Sequence, residues 1–272
     1  MYEVIIAASV LGGLGAAFGI GLSYASKVFS VEVDERVAKV REILPGANCG
    51  ACGFAGCDAF ADAVATGKTD VNGCTVGGKT VAQSLANVMG VEASEVRESV
   101  ARVICNGRYS VSKEKYSYQG MDDCFAAAQL FGGHKACSYG CLGHGNCVEA
   151  CPFNAIVITG GVARVIEDRC QACGKCILAC PKNLIEMVPK DKKYSVVCHS
   201  KDKGAVTKKN CEVGCIGCMR CVKACRYGAI SMVGSLAKID YEKCTNCGEC
   251  AAVCPTMAIR KLDYENICME KY

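Results

Sequence analysis

Residues 48–74 read NCGACGFAGCDAFADAVATGKTDVNGC, with thiols at Cys49, Cys52, Cys57 and Cys74 and no histidine among them. Four deprotonated thiols in one short segment can surround a single metal centre, because iron–sulfur clusters and zinc both accept the soft thiolate. The rest of the chain repeats the theme. It holds 25 cysteines in 272 residues, an odd number, and most stand in C-x2-C runs. A disulfide framework would pair distant cysteines in a small secreted chain. Neighbouring thiols facing a common centre point to metal instead.

The second half of the chain falls on itself: CPFNAIVITGGVARVIEDRCQACGKCILACP (151–181) aligns without gaps on CRYGAISMVGSLAKIDYEKCTNCGECAAVCP (225–255). Upstream, Cys124, Cys137, Cys141 and Cys147 fall on Cys198, Cys211, Cys215 and Cys221, so 124–197 and 198–271 read as two copies of one unit. Within the second copy, CIGCMRCVKAC (215–225) and CTNCGECAAVC (244–254) both read C-x2-C-x2-C-x3-C. That is the spacing of bacterial two-cluster ferredoxins, in which three cysteines wrap one cluster and the fourth ligates the other. It assigns Cys215, Cys218, Cys221 and Cys254 to one cluster, and Cys244, Cys247, Cys250 and Cys225 to its neighbour. A zinc ribbon uses four ligands and would leave half of these thiols unexplained.

The first copy departs from the pattern at one point. CQACGKCILACP (170–181) is regular, but CSYGCLGHGNCVEACP (137–152) has His144 where the second copy has Cys218. The expected ligands are Cys137, Cys141, Cys147 and Cys180 for one cluster, and Cys170, Cys173, Cys176 and Cys151 for the other. His144 as a ligand is a rival, since imidazole can replace thiolate and raises the potential; loss of this cluster is another. With the 49–74 set, the cofactor count is five [4Fe-4S] clusters. Cys105, Cys124, Cys198, Cys211 and Cys268 are left over and are expected to be small buried hydrophobes. The alternative is a sixth cluster from Cys105, Cys124, Cys198 and Cys211, which would lift iron and sulfide from about 20 to about 24 per chain.

The elements that must position these ligands follow from pattern. The fold class is α+β and multidomain: an N-terminal transmembrane helix (1–28), a small helical 4Fe-4S domain (29–104), a linker (105–123) and two ferredoxin modules (124–197 and 198–272). Residues 4–26 carry no charge and suffice for one membrane span. The glycines at 13, 15 and 19 miss a nucleotide-binding loop by one residue and suit helix packing in a membrane. Lys27, Arg36, Lys39 and Arg41 follow the span, which favours a cytoplasmic C-terminal part. Helices are expected over 57–66, 81–89 and 92–104, the last with Val96, Val100 and Val103 on one face. Strands are expected near 155–159, 162–166, 229–233 and 236–240, with Gly160-Gly161 and Gly234-Ser235 as hairpin turns. The lysine-rich stretch 190–210 reads as a solvated loop or a docking patch for an acidic redox partner.

The formal charge of +4 does not describe the loaded protein. Each oxidised cluster with four thiolates carries about −2, so five bring the chain to about −6. Apparent basicity is therefore no sign of nucleic-acid binding. Three histidines in the whole chain leave little for general acid–base catalysis, and no flavin or nicotinamide fingerprint occurs. What remains is a membrane-tethered electron wire with no catalytic residues of its own.

An uncharged N-terminal span, then C-x2-C-x4-C-x16-C, then ferredoxin modules, resembles the B subunit of the Rnf complex over the full length, most specifically at LPGANCGACGFAGC (44–57). The resemblance implies a component of a membrane-bound, ion-translocating ferredoxin:NAD oxidoreductase, taking electrons from soluble reduced ferredoxin and passing them to flavin- and cluster-bearing partners. The tandem modules resemble the longer members of the family. A polyferredoxin of another membrane oxidoreductase gives no reason for the 49–74 motif, and a zinc-binding interaction protein gives none for the ferredoxin runs. Chain order puts the 49–74 cluster at the end of the wire nearest the membrane.

Overall fold

The uncharged N-terminal run forms α1 (Tyr2–Val28), 27 residues long. Its 20-residue stretch Ser9–Val28 is long and apolar enough to cross a bilayer. Leu11, Phe18, Ile20 and Leu22 are all exposed on it, which water alone would penalise and lipid would not. This computed structural model describes residues 2–29, 34–94 and 97–262.

A helical domain follows, built from α2 (Glu35–Ile43), α3 (Cys57–Ala65) and α4 (Gly78–Met89). Asp34 caps α2 by accepting the Arg36 N–H at 2.9 Å. Gly90, at φ 67°, closes α4 in the left-handed conformation that favours glycine. Val40, Phe60, Val64, Val71 and Leu85 meet in one core, and Cys52, Cys57 and Cys74 pack on its edge. Gly73 is needed for close approach: a Cβ there would stand 2.8 Å from the Phe60 ring.

The helix expected over 92–104 is instead strand β1 (Ser99–Val103), while Val96 lies outside the described residues. Val100, Ala101, Arg102 and Val103 are all buried, so the segment shows neither strand alternation nor a polar helical face. A strand covered on both sides gives no period to read. Pairing with a partner far along the chain, Val103 opposite Ile185, decided the outcome.

The first ferredoxin module continues with α5 (Cys124–Gln129), α6 (Asn146–Glu149), the hairpin β2 (Ile156–Thr159) and β3 (Val162–Val165), α7 (Lys175–Leu178) and β4 (Ile185–Pro189), which pairs antiparallel with β1. The second contains β5 (Tyr194–Val196), α8 (Gly204–Asn210), α9 (Arg220–Ala224), the hairpin β6 (Ile230–Val233) and β7 (Leu236–Ile239), α10 (Glu249–Ala252) and β8 (Ile259–Lys261), which pairs with β5. The four expected hairpin strands are present within a residue of their expected bounds. Each module thus has two short sheets over a small core that contains its ligand thiols.

Strand pairing also shows where the repeat loses its register. Ile104 N–H donates to the Leu184 carbonyl, as Val197 N–H does to Ala258, each at 2.8 Å. The acceptors Leu184 and Ala258 coincide in the gapless alignment of the two copies, but the donors do not, since that alignment sets Val197 over Asp123. The first module therefore carries an insertion after Cys105, in the stretch 105–123 read from the sequence as a linker. In the chain path it lies between β1 and its partner β4. Cys105, directly after β1, is the structural counterpart of Cys198, directly after β5, a place the gapless alignment gives to Cys124. The inserted loop also ties the modules together through a β-bridge between Ser112 and Cys211.

Candidate iron–sulfur sites

Cys49, Cys52, Cys57 and Cys74 line one cavity of about 330 Å³ beside Leu44, Pro45 and Phe60. The loop that carries the first three turns sharply, with Asn48, Gly50 and Gly53 all at positive φ. Asn48 fixes it by accepting the Cys57 N–H at 2.8 Å. Burial raises the Cys74 thiol; the Gly77 N–H opposes the rise, and Cys52, Cys57 and Cys49 add to it. Four thiols crowded beside a hydrophobic core favour release of protons only when a cation takes their charge.

In the second module, Cys215, Cys218, Cys221 and Cys254 line a cavity of about 330 Å³. Burial raises the Cys221 thiol, followed by Cys215, and Cys218 and Cys254 contribute further. Burial and the neighbours Cys244 and Cys247 push Cys250 up to about 11. Ala229 N–H donates to Cys225 Sγ at 3.4 Å, as Ala155 N–H does to Cys151 Sγ. The matching set in the first module is also together: burial, then Cys170, Cys173 and Cys151, push Cys176 up to about 12. N–H donation to sulfur withdraws charge from it and raises a cluster's potential.

The remaining site of the first module differs from its expected composition. Cys124, Cys141, Cys147 and Cys180 line one cavity of about 390 Å³, and Cys137 is not among its residues. Burial pushes Cys147 up to about 12, with Cys141, Cys124 and Cys180 as neighbours. Asp123 caps α5 by accepting the Ala126 N–H at 2.7 Å, and Asn146 accepts the Cys124 N–H at 2.6 Å. These bonds hold the first residue of α5 over the loop that carries Cys141 and Cys147. Cys124 thus lines this cavity as Cys218 lines its counterpart in the second module. His144 is also absent from the cavity lining. Its Nδ1 lies 2.7 Å from Asp122 Oδ1, its ring packs against Tyr118 and His134, and its backbone N–H faces Cys124.

Cys137 lines a different cavity, of about 400 Å³, together with Cys105, Cys198 and Cys211. Cys268 lies outside the described residues. The sequence held the signal for this grouping only as leftover thiols without local spacing, because two come from each module.

No group of three or more His, Cys, Asp or Glu among the described residues is tight enough to hold a single metal ion. Zinc needs its sulfurs at about 2.3 Å, hence about 3.8 Å from one another.

Known proteins agree with this chemistry. A putative Fe-S cluster family matches residues 44–76, a 4Fe-4S dicluster domain matches 214–258, and 4Fe-4S binding domains match 163–186 and 141–155. The chain is 45% identical to the B subunit of the Na(+)-translocating ferredoxin:NAD(+) oxidoreductase complex of Acetobacterium woodii, covering 94% of this chain and 77% of the relative. It is 46% identical to the B subunit of the ion-translocating oxidoreductase complex of Methanosarcina acetivorans, over 92% of this chain and 96% of that one. The B subunit of the proton-translocating ferredoxin:NAD(+) oxidoreductase complex of Clostridium ljungdahlii is 41% identical over 96% of this chain and 94% of its own length.

Proposed function

The chain belongs to the family of B subunits of ion-translocating ferredoxin:NAD(+) oxidoreductase complexes, and we propose that it accepts electrons from reduced ferredoxin and conducts them through its clusters to the partner subunits. It is an iron–sulfur electron-transfer subunit; bond chemistry and ion movement belong to other subunits. The ligand sets are Cys49, Cys52, Cys57 and Cys74; Cys124, Cys141, Cys147 and Cys180; Cys151, Cys170, Cys173 and Cys176; Cys215, Cys218, Cys221 and Cys254; and Cys225, Cys244, Cys247 and Cys250. Clusters there would each exchange one electron at a time.

The observation that carries this reading is the serial order of the thiols. Besides burial and Cys151, Cys49 of the N-terminal domain raises the Cys173 thiol. Cys176 lies within similar reach of Cys147, and Cys221 of Cys250. The 49–74 set thus stands at the α1 end of the series, where electrons would leave toward membrane-embedded partners. The basic residues after α1 favour a cytoplasmic face for the modules. Relatives named for sodium and for protons are both more than 40% identical to this chain, which suits a subunit that does not select the ion. Membranes lacking the chain are expected to lose ferredoxin-dependent NAD reduction and to regain it when the chain is restored. Undiminished activity without it overturns the reading.

Lys193, Lys203, Lys208 and Lys209 are exposed and supply a basic face for an acidic donor such as ferredoxin. Lys192 is not part of it: its Nζ donates to the Cys244 carbonyl at 2.7 Å and fixes a ligand loop. Replacing Lys193, Lys208 and Lys209 with glutamine is expected to slow reduction by ferredoxin on the order of 10-fold at low salt. The same change should flatten the dependence of that rate on ionic strength, measured by stopped-flow.

A further inference from the structure

Four further thiols converge in one cavity lined from both modules. We propose that Cys105, Cys137, Cys198 and Cys211 hold a sixth [4Fe-4S] cluster, seated between the two ferredoxin modules and joining their cluster pairs into one path. The inference rests on the reading that the flanking sites hold clusters.

The four thiols share one cavity of about 400 Å³, as large as the 390 Å³ cavity of Cys124, Cys141, Cys147 and Cys180. A Cβ added at Gly107 would stand 3.6 Å from Cys211 Sγ and 3.7 Å from Cys105 Sγ, so these sulfurs face one point from different modules. The ligands form two equivalent pairs. Cys105 and Cys198 each follow the first strand of a module, and Cys137 and Cys211 correspond in the gapless repeat. Their hydrogen-bond donors repeat the symmetry. Cys141 N–H donates to Cys105 Sγ at 3.4 Å, and Cys215 N–H, its counterpart, faces Cys198. Tyr139 N–H faces Cys137, and its counterpart Val213 faces Cys211. Each module thus presents one such pair of sulfurs, held by the same backbone donors, to the shared cavity.

Charge supplies an independent argument. Lys135, only 1% exposed, also lines this cavity. Its Nζ donates to the carbonyls of Gly107 (2.8 Å) and Gly161 (2.7 Å) and lies 4.9 Å from the centre of the Tyr109 ring. Carbonyls satisfy its hydrogen bonds without balancing its charge, and a buried ammonium needs an anion. Lys209, the repeat counterpart of Lys135, is exposed near the end of α8 and lines no such cavity.

The cluster's position defines its role. Cys141 belongs to the set on one side and donates its own N–H to Cys105, while Cys215 on the other side faces Cys198 in the same way. A cluster held by Cys105, Cys137, Cys198 and Cys211 would take one electron from the reduced neighbour on one side and hand it to the oxidised neighbour on the other. No bond forms or breaks, and reduced ferredoxin is the only reductant needed.

The test counts iron, acid-labile sulfide and zinc in the full-length chain purified without oxygen. The expected result is about 24 iron and 24 sulfide, falling to about 20 of each in Cys198→Ala and in Cys211→Ala. The ferredoxin-type electron paramagnetic resonance signals of the other clusters should persist in both. About 20 iron and sulfide in the unaltered chain, unchanged in the variants, overturns the sixth cluster and leaves the five-site reading standing. About 20 iron with one zinc that the variants lose also overturns it, in favour of a single ion. A chain with almost no iron overturns both. Should the variants fail to fold, the count on the unaltered chain still decides.

Discussion

Cys124→Ala is expected to lose about four iron and four sulfide per chain and to stop ferredoxin-dependent NAD reduction. The thiol lines the cavity of Cys141, Cys147 and Cys180, and its backbone N–H is tied to Asn146 of the same ligand loop. Removing it leaves three thiolates around a core that needs four, with no histidine in the cavity lining to take its place. The structural cost is also large. Thiolate-held zinc sites bind with about 10–16 kcal/mol, which sets a scale for what a ligated core contributes to folding. A whole domain is stable by only about 5–15 kcal/mol. The short sheets β1–β4 and β2–β3 therefore are not expected to hold the first module without its cores. His144→Ala is the control: it should leave iron unchanged, because the ring pairs with Asp122 rather than facing the thiols. Iron lost in His144→Ala and kept in Cys124→Ala would reverse the assignment.

Tight C-x2-C runs name their own sites, since residues so close in a turning loop must face the same centre. So the sequence alone grouped Cys49, Cys52, Cys57 and Cys74, and Cys215, Cys218, Cys221 and Cys254, each of which lines one cavity. The hairpins were legible too, because Gly160-Gly161 and Gly234-Ser235 mark turns between short β-branched runs. Cys124 was hidden because it reaches its site from a separate helix, outside the loop that carries Cys141 and Cys147. The gapless repeat alignment then misdirected it, pairing it with Cys198 when the insertion after Cys105 had already shifted the register. That insertion is visible only through strand pairing, where Ile104 meets Leu184 as Val197 meets Ala258. β1 itself was disguised, for a fully buried strand with valines at 100 and 103 matches a helical face. Long-range ligands and long-range strands fail in sequence for one reason: the partner sets the role, and local spacing does not record the partner.

Lys135→Met is expected to lower the potentials of the clusters beside it by on the order of 0.1 V while leaving the iron count unchanged. The ammonium is buried among Cys105, Cys141 and Cys211, so a cluster there meets a positive charge that water hardly screens. At an effective dielectric of about 20, a unit charge about 7 Å away contributes about 2–3 kcal/mol. With about 59 mV for each tenfold change in a one-electron equilibrium, that energy is about 0.1 V. Reduction adds negative charge, so the lysine favours the reduced state, and its loss makes the middle of the wire harder to reduce. Electrons from ferredoxin would then meet a step up in energy at the junction of the modules, slowing turnover about 10- to 100-fold. Lys135→Arg separates charge from packing, since it keeps the cation but cannot reproduce both carbonyl bonds from one nitrogen. Redox titration followed by electron paramagnetic resonance should therefore show the shift in Lys135→Met and most of it absent in Lys135→Arg. Equal shifts in both variants would mean that hydrogen bonding to Gly107 and Gly161, not charge, sets the potential at the centre of this chain.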